Sequence, residues 1–156
     1  MNVSAIVLSL ADRGRRLVWR VFGPRTIGVR GLVVDGDGSV LLVRHTYGPG
    51  YWHLPGGGVK RRESMVAALH RELREEVGVI VSGDVRLLGT FSSLTEGKSD
   101  HISVFVVEAW RLVDSDSREI ESRSFFPPSA LPEAASPATR RRIDDWKRGH
   151  PDGFDW

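Results

Sequence analysis

The sequence predicts a single-domain α/β fold, and three observations predict it. The chain has 156 residues, 40% of them hydrophobic, which is enough for one core and too little for two domains. Short β-branched runs recur between Gly-, Pro- and Asp-rich turns, as half-buried strands require. Two longer segments, 64–77 and 136–149, read as helices, each stopped by a glycine and the second opened by Ser136 and Pro137. A net charge of only +2 with apolar residues throughout excludes a chain disordered along its whole length. Cysteine is absent, which excludes disulfide scaffolds, thiolate zinc, iron–sulfur clusters and cysteine nucleophiles.

Residues 26–34 are rich in β-branched side chains, Asp35-Gly36-Asp37-Gly38 supplies turn chemistry, and 39–45 resume an apolar run; the three read as a β-hairpin. A loop of glycine, proline and aromatics follows, leading to Leu54-Pro55-Gly56-Gly57-Gly58. Residues 64–77 contain no Gly or Pro, and Met65, Leu69 and Leu73 recur every fourth position, so this helix anchors on a sheet and stops at Gly78. Strands are expected at 79–81, 86–91 and 101–110, the last apolar enough to be central, with a polar loop over 92–100. A short strand over 119–126 ends at Pro127-Pro128. Ser136 caps a second helix, Pro137 takes its first position, and Gly149 and Pro151 end it, leaving 152–156 as a loose tail.

The N-terminal apolar run 3–11 is too short to span a bilayer, and Arg13, Arg15, Arg16 and Arg20 follow rather than precede it, unlike a signal peptide. A packed strand or helix is the first reading of this extension. Weak membrane-surface contact through residues 3–22 is the second, and the cytoplasm is the default location. The basic set is 19 Arg to 3 Lys. Arginine forks suit phosphate, although a composition bias gives the same ratio.

The chemistry concentrates in the first helix. Glu72, Glu75 and Glu76 stand at i, i+3 and i+4, so three carboxylates leave one face within one turn. Their mutual repulsion needs an offset, and Arg71, within reach of Glu75, cannot neutralise three acids alone. A hard divalent cation, Mg²⁺ or Mn²⁺, can. The competing reading of such a cluster by itself is a solvated acidic face. Gly56-Gly57-Gly58 just upstream weighs against that, because it lets backbone carbonyls approach a metal and amides approach a phosphate.

Gly57, Glu63, Arg71-Glu72-Leu73, Glu75-Glu76 and Gly78-Val79 follow the pattern Gly, five residues, Glu, seven residues, Arg-Glu-apolar-any-Glu-Glu-any-Gly-apolar. This resembles the signature of the Nudix hydrolase family at every position; chance coincidence is about 10⁻⁶ over the chain. The segments Trp52-His53-Leu54-Pro55 upstream and Phe125-Phe126-Pro127 with Leu131-Pro132 downstream look like the family's flanks, so the resemblance covers residues 26–147. It implies an α/β/α sandwich with a mixed β-sheet between helices, a domain over 26–149, an N-terminal extension over 1–25 and a tail over 150–156.

The resemblance also implies hydrolysis of a nucleoside diphosphate linked to another moiety X. By it, Glu72, Glu75 and Glu76 hold metal with a carbonyl of Gly56 or Gly57, Arg71 orients the cluster, and Glu63 either takes part or ties down the helix start. A further acid joins from outside the box in such proteins; Glu119 and Glu121 are the candidates, each with a plain surface-strand alternative. From the residues themselves, Arg44 at a strand end can face phosphates, Tyr51 or Trp52 can stack on a base, and Gly57 and Gly58 can offer amides. His45, His53, His70 and His101 form no helical His-x-x-x-His pair, which argues against zinc. Arg140-Arg141-Arg142 reads as a solvated face, with RNA contact as the alternative. Two other functions stay open: pyrophosphate removal from RNA 5′ ends, and a non-catalytic nucleotide-sensing module. The intact acid set argues against the sensor. X and the oligomeric state are not legible.

Overall fold

Alternation along the strands decides the layering. The computed structural model describes residues 25–94, 99–115 and 117–156; the N-terminal extension and residues 95–98 of the polar loop lie outside them. The order is β1 (Arg25–Val33), β2 (Val40–His45), β3 (Trp52–His53), α1 (Met65–Val77), β4 (Val79–Val81), β5 (Arg86–Ser93), β6 (Ser99–Val107), β7 (Trp110–Leu112), β8 (Ile120–Phe126) and α2 (Pro137–Arg148). Val29, Val33, Leu41, Val43, Phe105 and Val107 pack with Leu69 and Leu73 of α1. Their alternate neighbours Leu32, Val34, Val40, Leu42, Val104 and Val106 pack with Leu54 and with Ile143 of α2. Period-two alternation thus feeds two cores, one under each helix, and makes the expected α/β/α sandwich.

The strands form a mixed sheet β1-β6-β5, an antiparallel sheet β3-β2-β8 and the pair β4-β7. β6 is central as expected, parallel to β1 from Arg25↔Ser99 to Val33↔Val107 and antiparallel to β5. The expected hairpin is only half realised. Asp35 makes the turn, its Oδ1 accepting from the amides of Asp37 (3.0 Å) and Ser39 (2.8 Å), but β1 and β2 meet only at Val34↔Val40 and then part. The reason is that β6 offers β1 a nine-residue ladder buried on both faces, which a local hairpin cannot match. The strand expected over 101–110 likewise ends at Val107; Trp110 starts β7, which pairs with β4.

α1 is capped as its sequence requires: the Ser64 hydroxyl accepts from the Ala67 amide at 3.1 Å, and Gly78 at φ 65° closes the other end. Arg123 of β8 adds a bond to the free carbonyl of Val77. Leu69, Leu73 and Val77 are fully buried, each contributing about 2 kcal/mol by burial, and Leu73→Ala would cost about 2–5 kcal/mol. Met65, expected on the same stripe, is 38% exposed; it stands at the helix's first turn, beyond the sheet's cover, with its sulfur accepting from Ser103.

α2 departs from its sequence reading in two places. Arg142 is no solvated residue: it is 3% exposed, stacks 3.6 Å from the Phe91 ring centroid and contacts Asp145 at 2.9 Å. Arg140 is spent on the carbonyls of Pro132, Glu133 and Ala135, so the arginine run is not an open basic patch. The last residues are not loose either. Ser92 of β5 donates to the Phe154 carbonyl (2.7 Å) and accepts from the Trp156 amide (2.9 Å), while Arg142 donates to the Asp155 carbonyl (3.0 Å). Trp156 packs into the second core, an aromatic anchor that a short polar tail would not suggest.

Candidate active site

The site grows from the glycine loop that β1 pins down. Val29 donates to the Gly57 carbonyl (2.9 Å), Gly31 to the Pro55 carbonyl (2.8 Å), and Val59 to the Ile27 carbonyl (2.8 Å), so the loop runs along the β1 edge not used by β6. Gly56 sits at φ 135°, and a Cβ there would collide with the Val29 carbonyl; no other residue fits. Gly57 faces the helix, where a Cβ would lie 2.6 Å from the Glu72 carboxylate carbon. The loop thus brings backbone and carboxylate together in space that only glycine leaves open.

Arg71 organises the acids above it. It grips Glu63 with two bonds, Nε to Oε1 at 2.8 Å and Nη2 to Oε2 at 2.9 Å, and reaches the Gly58 carbonyl at 3.0 Å. Its Nη1 donates to Glu72 at 2.6 Å and, more weakly, to Glu75 at 3.4 Å. The Lys60 amide adds a bond to Glu63 at 2.9 Å, and Arg71 with that amide holds the Glu63 carboxyl down to about 2. Glu63 is therefore an ionised strut that fixes Arg71.

Glu76 is the opposite case. It is 8% exposed and accepts from the Gly56 amide at 2.7 Å. Burial, aided by the charges of Glu72 and Glu119, pushes its carboxyl up to about 7 against the pull of the Gly56 amide and Arg30. A cavity of about 450 Å³ opens between α1 and the loop before β8, lined by Lys60, Arg71, Glu72, Glu75, Glu76, Ser117, Arg118 and Glu119.

The structure therefore gathers Glu63, Arg71, Glu72, Glu75, Glu76 and the loop glycines, and adds Glu119 to the wall. Glu121 stands apart: its carboxylate contacts Arg44 Nε at 2.9 Å, and it borders a smaller cavity of about 190 Å³ that also touches Glu76. Arg44 is thus paired, and it also lies over Trp52, 5.5 Å from the ring centroid. Trp52 packs edge-on against Phe126 at 5.0 Å in the second core, while Tyr51 remains 44% exposed at the rim.

A metal fits this donor set, which is all oxygen and carries more acid than Arg71 balances. Among the described residues no three acids yet converge on one point, since Glu72 is held by Arg71 and Glu76 by the Gly56 amide. The Gly57 carbonyl is taken by Val29, which leaves that of Gly56 as the better backbone candidate.

Sequence reasoning gave no site role to Arg30, His45 or His53: the Arg30 charge lies within electrostatic reach of Glu72 and Glu76, His45 within reach of Glu119, and His53 within reach of Arg30. The one available signal was an arginine interrupting the apolar run of β1.

A family model described as NUDIX domain matches residues 24–147. The chain belongs to this family. An RNA pyrophosphohydrolase of Teredinibacter turnerae is 46% identical over 57 residues, 36% of this chain and 33% of that protein. An 8-oxo-dGTP diphosphatase of Buchnera aphidicola is 52% identical over 43 residues, 28% of this chain and 35% of that protein. The match thus spans about a third of each relative's length. Among solved structures, a MutT NUDIX hydrolase from Burkholderia pseudomallei superposes with a TM-score of 0.67 at 27% identity, over 78% of this chain and 98% of the other. Among the described residues no helix is long and apolar enough to cross a membrane.

Proposed function

We propose that this chain is a Mg²⁺- or Mn²⁺-dependent hydrolase that cleaves the pyrophosphate linkage of a nucleoside diphosphate joined to a second moiety X. One observation carries the reading: Glu72, Glu75, Glu76 and Glu119 line one cavity, and two of them, Glu72 and Glu76, reach a glycine loop that leaves room for backbone alone. In the reaction a water oxygen bonds to one phosphorus, the bridging P–O bond breaks, the bridging oxygen leaves with the other phosphate, and one proton is released.

Glu72, Glu75 and Glu76 would hold the metal, with Glu119 and the Gly56 carbonyl as further donors. When bound, such a cation neutralises charge on the phosphate oxygens and acidifies water. Arg71, fixed by Glu63, keeps Glu72 and Glu75 aimed into the cavity. Lys60 and Arg118 on the rim draw the polyphosphate in. Burial pushes Glu76 up in the metal-free protein, and a cation held there would draw it back down.

The test is a substrate panel with purified protein and Mg²⁺: nucleoside triphosphates, dinucleoside polyphosphates, ADP-ribose, nucleotide sugars and 5′-triphosphate RNA. Turnover of at least one that stops with chelator supports the reading; turnover undiminished in excess chelator overturns it. The similarity to proteins named RNA pyrophosphohydrolase favours RNA 5′ ends as the second reading. Salt-sensitive turnover of 5′-triphosphate RNA far above that of the free nucleotide would select it.

A further inference from the structure

The last turn of α1 carries Glu75 and Glu76, and its backbone is held by more than a glycine stop. A helix leaves its final four carbonyls without intrahelical amides. In α1 the last internal bond runs from the Gly78 amide to the Arg74 carbonyl at 3.1 Å, so those carbonyls belong to Glu75, Glu76, Val77 and Gly78. All four are taken by Val113, Ser115 and Arg123, from the loop after β7 and from β8. The Ser115 hydroxyl donates to the Glu75 carbonyl at 3.0 Å and, more weakly, to that of Glu76 at 3.4 Å. The Arg123 guanidinium donates to Val77, and the Val113 amide to Gly78 at 2.8 Å. At the end of α2, among the described residues, no side chain donates to the last carbonyls, and the Gly149 amide alone turns back, to Trp146 at 3.0 Å.

The same stretch of chain carries the wall that faces the acids. Ser117, Arg118 and Glu119 line the acid cavity of about 450 Å³, while Ser115, Ser117 and Arg123 share the smaller one of about 190 Å³ with Glu76. The stretch is fixed in turn from β2. The Thr46 amide donates to the Glu119 carbonyl at 2.9 Å, and Arg123 stands opposite Val43, a fully buried core residue, in the β2–β8 ladder. The backbone beneath Glu75 and Glu76 and the backbone beneath Glu119 therefore hang on one support. A small hard cation makes that support matter, because Mg²⁺–oxygen distances of about 2.0–2.1 Å tolerate little play in the turn that supplies the oxygens.

We propose that Ser115 and Arg123 are positioning residues for the metal acids, gripping the last turn of α1 by its carbonyls and so fixing Glu75 and Glu76 against Glu119. Both lie outside the signature in residues 57–79, and in this role neither touches the reacting atoms. The proposal rests on the hydrolase reading for what the site is, but its readout is cation binding, which needs no turnover. Arg123 acts here through its bond and not through its charge. A guanidinium on the wall beside Glu76 repels a cation, so by charge alone its removal would tighten cation binding; by loss of the grip it loosens it.

Mn²⁺ binding to the full chain, followed through the paramagnetic resonance signal of the free ion, reads this directly. Arg123→Met should weaken binding by about 10-fold, the lower end of the effect of losing a support behind a metal ligand, and Ser115→Ala should act the same way by less. Arg123→Lys, which keeps a donor, should recover part of the loss. If Arg123→Met does not fold, Ser115→Ala, which removes one hydroxyl and changes no charge, decides alone. In turnover, the Mg²⁺ concentration at half-maximal rate should rise in both variants by a larger factor than kcat at saturating Mg²⁺ falls. Parent-like Mn²⁺ affinity in the folded variants, even with a lowered Tm, would make these contacts a plain helix cap and overturn the proposal, as would tighter binding in Arg123→Met. A parent that binds no Mn²⁺ overturns both this and the hydrolase reading. Weakened binding in the variants of a parent that hydrolyses no nucleotide would leave the positioning role standing and sink the hydrolase reading alone.

Discussion

Each helix carries a cluster of arginine and carboxylate, and the two are built to opposite balances. On α2, Asp145 is 1% exposed and serves Arg142, Arg148 and the Asp152 amide. One buried acid there stands against two guanidinium groups. On α1, Arg71 alone faces Glu63, Glu72 and Glu75, with Glu76 left to a backbone amide and Glu119 across the cavity. Both clusters use arginine with acids at helical spacing, so spacing does not separate structure from site. The surplus of negative charge does: the α2 cluster has none, and the α1 cluster carries more acid than Arg71 balances.

The largest effect that would break this contrast is on turnover. Glu76→Gln should cut kcat by roughly two to three powers of ten with the circular dichroism spectrum unchanged. At pH 8 without metal it should melt no lower than the parent, because the amide can still accept from Gly56 and no longer buries a charge. A variant that unfolds would put both clusters in the same structural class. The mirror experiment is Asp145→Ala, which strands two guanidinium groups. It should cost about 3–5 kcal/mol in urea unfolding while kcat per folded molecule is retained. Loss of kcat in the folded fraction would mean that α2 is not a passive scaffold.

Next in size is the pH dependence of metal-free stability, where the two kinds of acid within α1's own cluster diverge. Glu76 is raised from 4.5 to about 7, so the unfolded chain loses that proton first. Its contribution is intact below about 4.5 and is lost as pH climbs to 7, by up to about 3 kcal/mol. Glu63 is lowered from 4.5 to about 2, so its contribution is present above 4.5 and lost as pH falls through 2. The lowered pKa values of His45 and His53 favour the folded chain as pH rises in both proteins, so denaturant titrations at pH 5 and pH 8 should show the parent losing stability relative to Glu76→Gln on going to pH 8. An equal slope in both would remove Glu76 as the strained acid. The smallest effect is expected at Glu121, exposed and paired with Arg44: Glu121→Ala should change stability by less than about 1 kcal/mol and kcat by less than Glu119→Gln does.

Much of the site was readable because it is local. Glu72, Glu75 and Glu76 share one turn, Arg71 adjoins them, and the glycines enter the same helix, so spacing along the chain stands in for spacing in space. The helix stops at Gly78 and Gly149 and the cap at Ser136 were legible for the same reason. What could not be read depends on partners far along the chain. β1 abandons its neighbour for β6, about seventy residues on, because of what β6 buries. Arg142 looks like one of three equivalent arginines until Phe91 and Asp155 come to meet it. Arg30, His45 and His53 come from three strands, and no pattern in one strand announces the other two.

The way Ser92 is held at both its amide and its carbonyl has a consequence for how molecules of this protein meet. β5 is the outer strand of its sheet, and an outer strand offers its free amides and carbonyls to any extended chain that passes. At Ser92 residues 154–156 already take that place, fastened through Trp156 to Phe91 and through Asp155 to Arg142. The same arginine that looks like interior packing therefore also guards against edge-to-edge association. Damage to the α2 cluster would show itself first as sticking between copies, before the chemistry at the other helix is touched.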